Sequence, residues 1–318
     1  MYSLTIVGGG AMSCGYDNPK DENILTHTHA ALKHHQVELD SIVEIDKQRQ
    51  KFIVDKWGDS FEVYSGLLES INKYKSDIFV VATPTHIHLK IVKTILKKCS
   101  PKLIICEKPI VSNIEEFQSL NRLMKTTKTK LITNFPRRFD PSLNILKEKT
   151  RNSKKLHFNG IFTKGLVHNG SHMIDLISML VGNVLKIDSA KQEVCDNDFF
   201  GTFMVFTKQC VGTITNVNVE GLAIFELTIY TDLEKIELIS SKKELIVNYI
   251  DKSHLNQGFK TYTIKKELAY TLSQNAYNTL EYSIRVIEND ELYSEVSKCQ
   301  YNVNKMIFDT QHKLMELQ

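Results

Sequence analysis

Three consecutive glycines placed straight after the first apolar run constrain this chain more than any other feature. "SLTIV" (3–7) reads as a strand, and Gly8-Gly9-Gly10 follow at once. Gly8-x-Gly10-x-x-Ser13 after a strand is the pattern of a turn that admits a diphosphate. The first glycine makes the bend, the second lets backbone approach the ligand, and a small third residue lets helix and strand pack. Such a turn belongs to a parallel sheet wound with helices, and the chain keeps that rhythm to about residue 135. "SIVEI" (41–45), "DIFVVA" (77–82), "KLIIC" (102–106) and "KLITN" (130–134) read as further strands. The run at 77–82 is apolar nearly throughout, as a strand covered on both faces must be. Ile87, Ile91 and Ile95 recur at helical spacing, as do Ile114, Phe117, Leu120 and Met124, with Ser112 or Asn113 as a cap.

One segment breaks the rhythm. "CGYDNPKDENIL" (14–25) separates the glycine turn from the helical "THTHAALKHH". It reads as an insertion beside the turn, either a flap or a surface loop.

After Phe135 the pattern changes, with Pro136 and Pro141 at the boundary. A helix near 142–149, a strand near 157–162 and a helix near 171–181 are predicted. Beyond them the period is two: Val211, Thr213, Thr215, Val217 and Val219 alternate, then Phe225, Leu227 and Ile229, then Ile236 and Leu238, then Leu245, Val247 and Tyr249. Consecutive half-buried strands of this kind build an open, largely antiparallel sheet. Leu268, Leu272, Ala276, Leu280 and Ile284 predict one long helix, and Val303, Met306, Ile307 and Leu314 a last one. The expected fold class is α/β: a doubly wound parallel sheet over 1–135, then an α+β domain with a large, mostly antiparallel open sheet over 136–318.

Charge narrows the partners. With 40 basic and 37 acidic residues the net charge is +3, too balanced to argue for nucleic acid or a membrane surface. Lysine pairs such as Lys97-Lys98, Lys154-Lys155 and Lys242-Lys243 read as solvated faces. The six cysteines, Cys14, Cys99, Cys106, Cys195, Cys210 and Cys299, include no Cys-x-x-Cys pair, which points to a reducing compartment. No signal-peptide pattern opens the chain and no apolar stretch approaches about 18 residues. A cytoplasmic protein is expected.

Chemistry-bearing residues stand at strand ends. Glu44 closes the second strand, where an acid accepts hydrogen bonds from the adenosine ribose and repels a 2′-phosphate. That favours NAD over NADP; the alternative is a solvent-facing strand end. "IICEKPIV" (104–111) puts Glu107, Lys108 and Pro109 where ligands bind in an open α/β sheet. Lys108 suits a substrate hydroxyl and the oxyanion character that develops there. Glu107 suits a lysine or a ribose, and Pro109 can carry a cis bond. In "TNFPRRF" (133–139), Arg137 or Arg138 suits an anionic group of a substrate, or an interface ion pair.

"HNGSHMID" (168–175) sets His168 and His172 four residues apart, with Asp175 three further on. A zinc-protease helix has glutamate after its first histidine, and here Asn169 stands there. Asn169-Gly170 is poor helix interior, so the helix is expected to start near Ser171, with His168 in the loop before it. No metal site is expected.

Taken in order, "VGGGAMS", "ATPTHIH" (82–88), "EKP" (107–109) and "NGSHMID" (169–175) resemble the glucose–fructose oxidoreductase / inositol dehydrogenase family (Gfo/Idh/MocA). The resemblance implies a Rossmann domain followed by an α/β domain with a large open sheet, a nicotinamide cofactor and a sugar-like substrate. It also implies homodimers or homotetramers formed through that sheet. It implies cofactor contacts from Gly8, Gly10, Ala11, Met12, Glu44, Thr83, Pro84, His88, Glu107 and Lys108. Substrate contacts fall to Lys108, Arg137, His168, Asn169 and His172. His172 falls on the family's catalytic histidine, Lys108 on its active-site lysine and Asp175 on its final acid. His168 stands where most members carry aspartate, so Asp175 becomes the candidate to orient the imidazole. The expected reaction is hydride transfer between a secondary alcohol of a sugar or nucleotide-sugar and nicotinamide. Two other readings stay open: a sensor or partner protein that binds NAD without turnover, and a lyase or glycosidase that uses tightly held NAD transiently.

Overall fold

A computed structural model of the protein describes residues 1–195, 198–219, 221–240, 244–252, 258, 260–268 and 272–316. Lys242-Lys243 and the Cys195 side chain lie outside the described residues. The chain divides into two compact units, Met1–Phe139 with Ser273–Gln300, and Asp140–Leu272 with Tyr301–Gln318.

The first unit holds strands β1 (Tyr2–Val7), β2 (Val37–Val43), β3 (Glu62–Tyr64), β4 (Ile78–Val81), β5 (Leu103–Cys106) and β6 (Lys130–Thr133). They form a wholly parallel sheet in the order β3-β2-β1-β4-β5-β6, the doubly wound arrangement. All four residues of β4 and all four of β5 are buried, because helices cover both faces of a parallel sheet. Those helices are α1 (His27–Lys33), α2 (Lys47–Trp57), α3 (Leu67–Lys73), α4 (His88–Lys98) and α5 (Ile114–Met124). Side chains cap three of them. Thr26 accepts from the His29 N–H, Asp46 from Arg49 and Asn113 from Glu116, each satisfying a donor the helix start leaves open.

Strand order reverses between β1 and β4, and the carboxyl edge there is where a ligand fits. The ladder runs one residue past the strand ends: Gly8 N–H donates to Val43, Glu44 to Tyr64, Ala82 to Val7, Glu107 to Val81 and Asn134 to Cys106. The residues singled out at strand ends are therefore neighbours along one edge.

Helix α8 (Asn275–Glu288) packs Ala276, Leu280, Ile284 and Val286 into the core of this first unit, with Leu4, Ile78 and Leu103. The long helix predicted from Leu268 onward starts later than its spacing suggests. Leu268 ends a strand, and a single 3-10 turn (Leu272–Gln274) precedes α8. Apolar residues four apart continued by chance across a strand-to-helix junction.

The second unit contains α6 (Pro141–Arg151), β7 (Leu156–Phe162), α7 (Ser171–Leu180) and strands β8 (Val184–Cys195), β9 (Asp198–Thr207), β10 (Val211–Asn216), β11 (Phe225–Thr231), β12 (Glu234–Ile239), β13 (Glu244–Lys252) and β14 (Lys260–Leu268). Its sheet runs β14-β13-β12-β11-β7-β10-β9-β8. Among the described residues, only the β7–β10 pairing is parallel. Phe158, Phe162, Phe199 and Phe203 are wholly buried on one face, each worth about 1.5–3 kcal/mol of burial. Every residue of α7 is buried, which suits its mostly apolar "SHMIDLISML". At Gly160 an added Cβ would lie 3.0 Å from the Met173 sulfur, so this glycine lets α7 lie directly on β7. The last helix, α9 (Asp290–Glu316), begins in the residues of the first unit and ends in those of the second.

Candidate active site

The glycine turn is built as its residues require. Gly8 has φ +103°, and a Cβ there would come within 2.6 Å of the Ala82 carbonyl oxygen. Any side chain would push β1 away from the end of β4. At Gly10 a Cβ would meet nothing nearer than the Arg49 guanidinium at 3.8 Å. A side chain there would make only ordinary contact within the chain, so packing alone does not require glycine at this position. Gly9, Gly10 and Ala11 line a cavity of about 470 Å³ with Asp46, Arg49 and Phe52. Met12 and Ser13 belong to a five-residue π-type turn, Ala11–Gly15, and α1 begins only at His27.

Glu44 lies directly under the turn. Its Oε2 accepts from the Gly9 N–H at 2.9 Å and its Oε1 from the Asp46 N–H at 2.9 Å. Each oxygen keeps a second lone pair, so the carboxylate fixes the turn and can still accept from a hydroxyl. On the other side, the Thr83 methyl would lie 3.0 Å from a Gly8 Cβ, and the buried Thr83 hydroxyl has no partner among the described residues. A glycine turn bordering a cavity, an acid at the end of β2 and an orphaned hydroxyl beside the turn fit a dinucleotide.

The insertion is sewn down. Asp17, 2% exposed, accepts from the Leu25 N–H, the Thr26 N–H and hydroxyl, and a His29 ring N–H at 2.9 Å. Burial raises the Asp17 pKa, but the bonds from Thr26, Leu25 and His29 outweigh it and leave it below the ordinary value. Backbone bonds from Ile24 to Ser273 and from Ala276 to Ile24 tie the segment to the start of α8.

Lys108 stands between two anchored neighbours. Glu107 is buried, and its Oε1 accepts from the His27 ring N–H at 2.8 Å and from the Asn134 amide at 2.6 Å. Asn134 in turn accepts from the Thr279 hydroxyl. Burial drives the Glu107 pKa up, yet the His27 and Asn134 bonds and the Lys108 charge hold it below the usual value. On the far side, the Lys108–Pro109 peptide is cis. The two His88 ring nitrogens lie 2.7 Å from the Thr83 carbonyl oxygen and 3.1 Å from that of Pro109. His88 thus pins the loop after β4 to the loop after β5. Pro84 is exposed beside it, Arg137 is half-buried, and Arg138 is buried with a bond to the Cys299 sulfur.

In the second unit, β7 delivers the chain to Lys164 (φ +72°) and Gly165 (φ +79°), then a π-type turn, Gly165–Gly170, that ends at α7. Helix α7 starts at Ser171, so His168 belongs to the turn and is exposed. Asp198, from β9, holds that turn: its carboxylate accepts from the Val167 N–H (2.8 Å), the His168 N–H (2.9 Å) and its neighbour Phe199 (2.7 Å). A Cβ on Gly165 would fall 2.0 Å from Asp198 Oδ2. The Asn169 amide donates to the Thr163 carbonyl. His172 and Asp175 are both buried, one helical turn apart on α7. Among the described residues no three His, Cys, Asp or Glu side chains group to share a metal ion.

His27, Asn134, Asp17 and Asp198 were not singled out from the sequence. The first two meet Glu107 from 80 residues upstream and 27 downstream, a separation that no local pattern reports. Asp198 precedes a β-strand pattern and carries no motif.

Residues 5–135 match the Gfo/Idh/MocA oxidoreductase family, described as having an NAD-binding Rossmann fold. Inositol 2-dehydrogenase of Rhizobium meliloti is 37% identical over 65 residues, 20% of this chain and 19% of that protein. The match therefore spans about a fifth of that relative's length. An oxidoreductase from Agrobacterium radiobacter, solved with NAD+, L-tartaric acid and magnesium, superposes with a TM-score of 0.69 at 13% identity over 96% of this chain and 94% of its own. A 3-ketoreductase from Actinomadura kijaniata, solved with NADP, gives 0.72 at 13% identity over 96% and 95%. At such identities these two establish the shared fold.

Proposed function

We propose that this protein, whose residues 5–135 belong to the Gfo/Idh/MocA oxidoreductase family, transfers a hydride between a secondary alcohol of a sugar or nucleotide-sugar and a nicotinamide dinucleotide. When bound, the nicotinamide supplies the hydride acceptor; the chain supplies position and electrostatics. Gly10 and Ala11 give backbone to the diphosphate. Glu44 accepts from ribose hydroxyls, and its charge disfavours a 2′-phosphate, so NAD is the preferred form. Lys108 donates to the reacting oxygen and stabilises the negative charge that builds there. His172 takes the hydroxyl proton, a general-base task that an imidazole can perform, and Asp175 orients it. His168 and Asn169 offer polar contacts to the sugar, and Arg137 an anionic group.

One observation carries this reading: Lys108 sits on the carboxyl edge with both sequence neighbours fixed, Glu107 by His27 and Asn134, Pro109 by His88. That fixed position on the ligand-binding edge supports a role for Lys108 toward the substrate.

The experiment is a panel of sugars and nucleotide-sugars offered with NAD and with NADP, followed by nicotinamide absorbance. Wild type reduces NAD with at least one of them. Lys108→Ala loses about 10²-fold or more in kcat, the scale of a lost charge-stabilising donor. Equal rates for both proteins would remove Lys108 from the chemistry.

A further inference from the structure

At the amino ends of β5 and β6, the edge of the sheet remote from the glycine turn, the loops border a separate open cavity of about 570 Å³. That lies within the span of small-molecule sites, about 300–1,000 Å³. The end of α4, the Ser100–Lys102 loop, the end of α5 and the Thr126–Thr129 loop form its walls. Four exposed lysines, Lys93, Lys97, Lys102 and Lys128, line it together with Ser100 and Thr129, and no acidic residue does. Lys102 pairs with Asp77 at 3.0 Å. Among the described residues no acid lies within ion-pair distance of Lys93, Lys97 or Lys128.

Two features separate this cluster from an ordinary solvated face. Lys97 lies in the last turn of α4, where the helix dipole favours a cation. The dipole accounts for neither Lys93, one turn earlier, nor Lys128, from a different loop. Thr129 is 5% exposed, and its hydroxyl has no partner among the described residues. A buried hydroxyl left in that state is costly, and it borders the same cavity. Like charges gathered around one cavity repel unless an anion joins them.

We propose that this cavity binds a small phosphorylated ligand, a phosphate monoester or a diphosphate. The lysines meet it as point charges, and Thr129 donates the inner hydrogen bond. The site stands apart from the nicotinamide site and does not depend on the dehydrogenase reading.

The test titrates the full chain with inorganic pyrophosphate by calorimetry at low salt. Wild type gives saturable binding. Lys93→Ser with Lys97→Ser weakens it at least about tenfold, as loss of charge-assisted bonds should; Thr129→Val weakens it in the same direction. Lys51→Ser, an exposed lysine on α2, leaves it unchanged. A second measurement needs no variant: pyrophosphate protects Lys93 and Lys97 of the wild-type protein from acylation, read by mass spectrometry. The proposal is overturned by an absence of saturable binding, by equal affinity in the double variant, by an equal loss in Lys51→Ser, or by unaltered acylation.

Discussion

The His27 ring donates to Glu107 across 2.8 Å, and both side chains are buried. The first residue of α1 therefore holds the residue before Lys108. Removing His27 takes away one of two hydrogen bonds to a buried carboxylate that keeps the Asn134 amide, so His27→Ala should cost about 1.5–3 kcal/mol in urea unfolding. His27→Gln, which keeps an N–H donor, should cost less. Because the folded Glu107 pKa lies below its unfolded value, its stabilisation is present above the unfolded carboxylate pKa of about 4.3. It is lost as pH falls through the folded value. Acid unfolding of Glu107→Gln should accordingly be flatter than wild type below that pH. A parallel acid limb in the two proteins would separate Glu107 from acid stability.

Gly165 and Asp198 form a second interlock. Gly165→Ala brings a Cβ to 2.0 Å from Asp198 Oδ2 at a φ of +79°. A loss of at least about 2–3 kcal/mol follows from clash and backbone strain. Asp198→Ala removes three carboxylate-to-backbone bonds and should cost about 1–3 kcal/mol. The double variant should be more stable than the sum of the two losses, because the clash disappears with the carboxylate. Strict additivity in denaturant unfolding would show that the two residues do not meet.

Asp17 bears on the insertion. Asp17→Asn retains size but gives up the ionic acceptor that serves Leu25, Thr26 and His29. Faster hydrogen exchange is expected at the Leu25 and Thr26 amides, with the β4 and β5 amides unchanged. Wild type should show the same local loosening on acidification, since the folded Asp17 pKa is depressed and its contribution fades as pH falls through it. Uniform exchange across the whole first unit would mean that Asp17 supports global rather than local stability.

These relationships mark how far the sequence can be read. The parallel sheet, the glycine turn and the strand-end positions of Glu44 and Glu107 are legible because each depends on residues close together in the chain. Periodicity reports burial, and glycine reports backbone that no side chain can cover. Partners brought by topology are not legible. Glu107 reads as a group for a ribose or a lysine, and nothing local announces that His27 and Asn134 both bond its Oε1. The spacing from Leu268 to Ala276 reads as helix because an alternating strand end and a helix start can share a spacing of four. Asp198 lacks any local signal, since its work is done on backbone N–H groups some 30 residues earlier.

The sheet of the second unit buries phenylalanines on one face. Its face away from Phe158 and Phe162 exposes Ile161 (42%), Met204 (38%) and Val211 (43%) on the neighbouring strands β7, β9 and β10. Thr213 pairs with Met204 and Thr215 with Thr202 in the same rows. Exposed apolar side chains interleaved with threonines on one sheet face suit a partner surface better than water. A homodimer or homotetramer formed through this face should bury all three. Ile161→Glu with Met204→Glu would then place like charges from both copies against each other, and sedimentation should shift toward monomer while the far-ultraviolet spectrum stays unchanged. An assembly that survives both substitutions would have to be built on another surface.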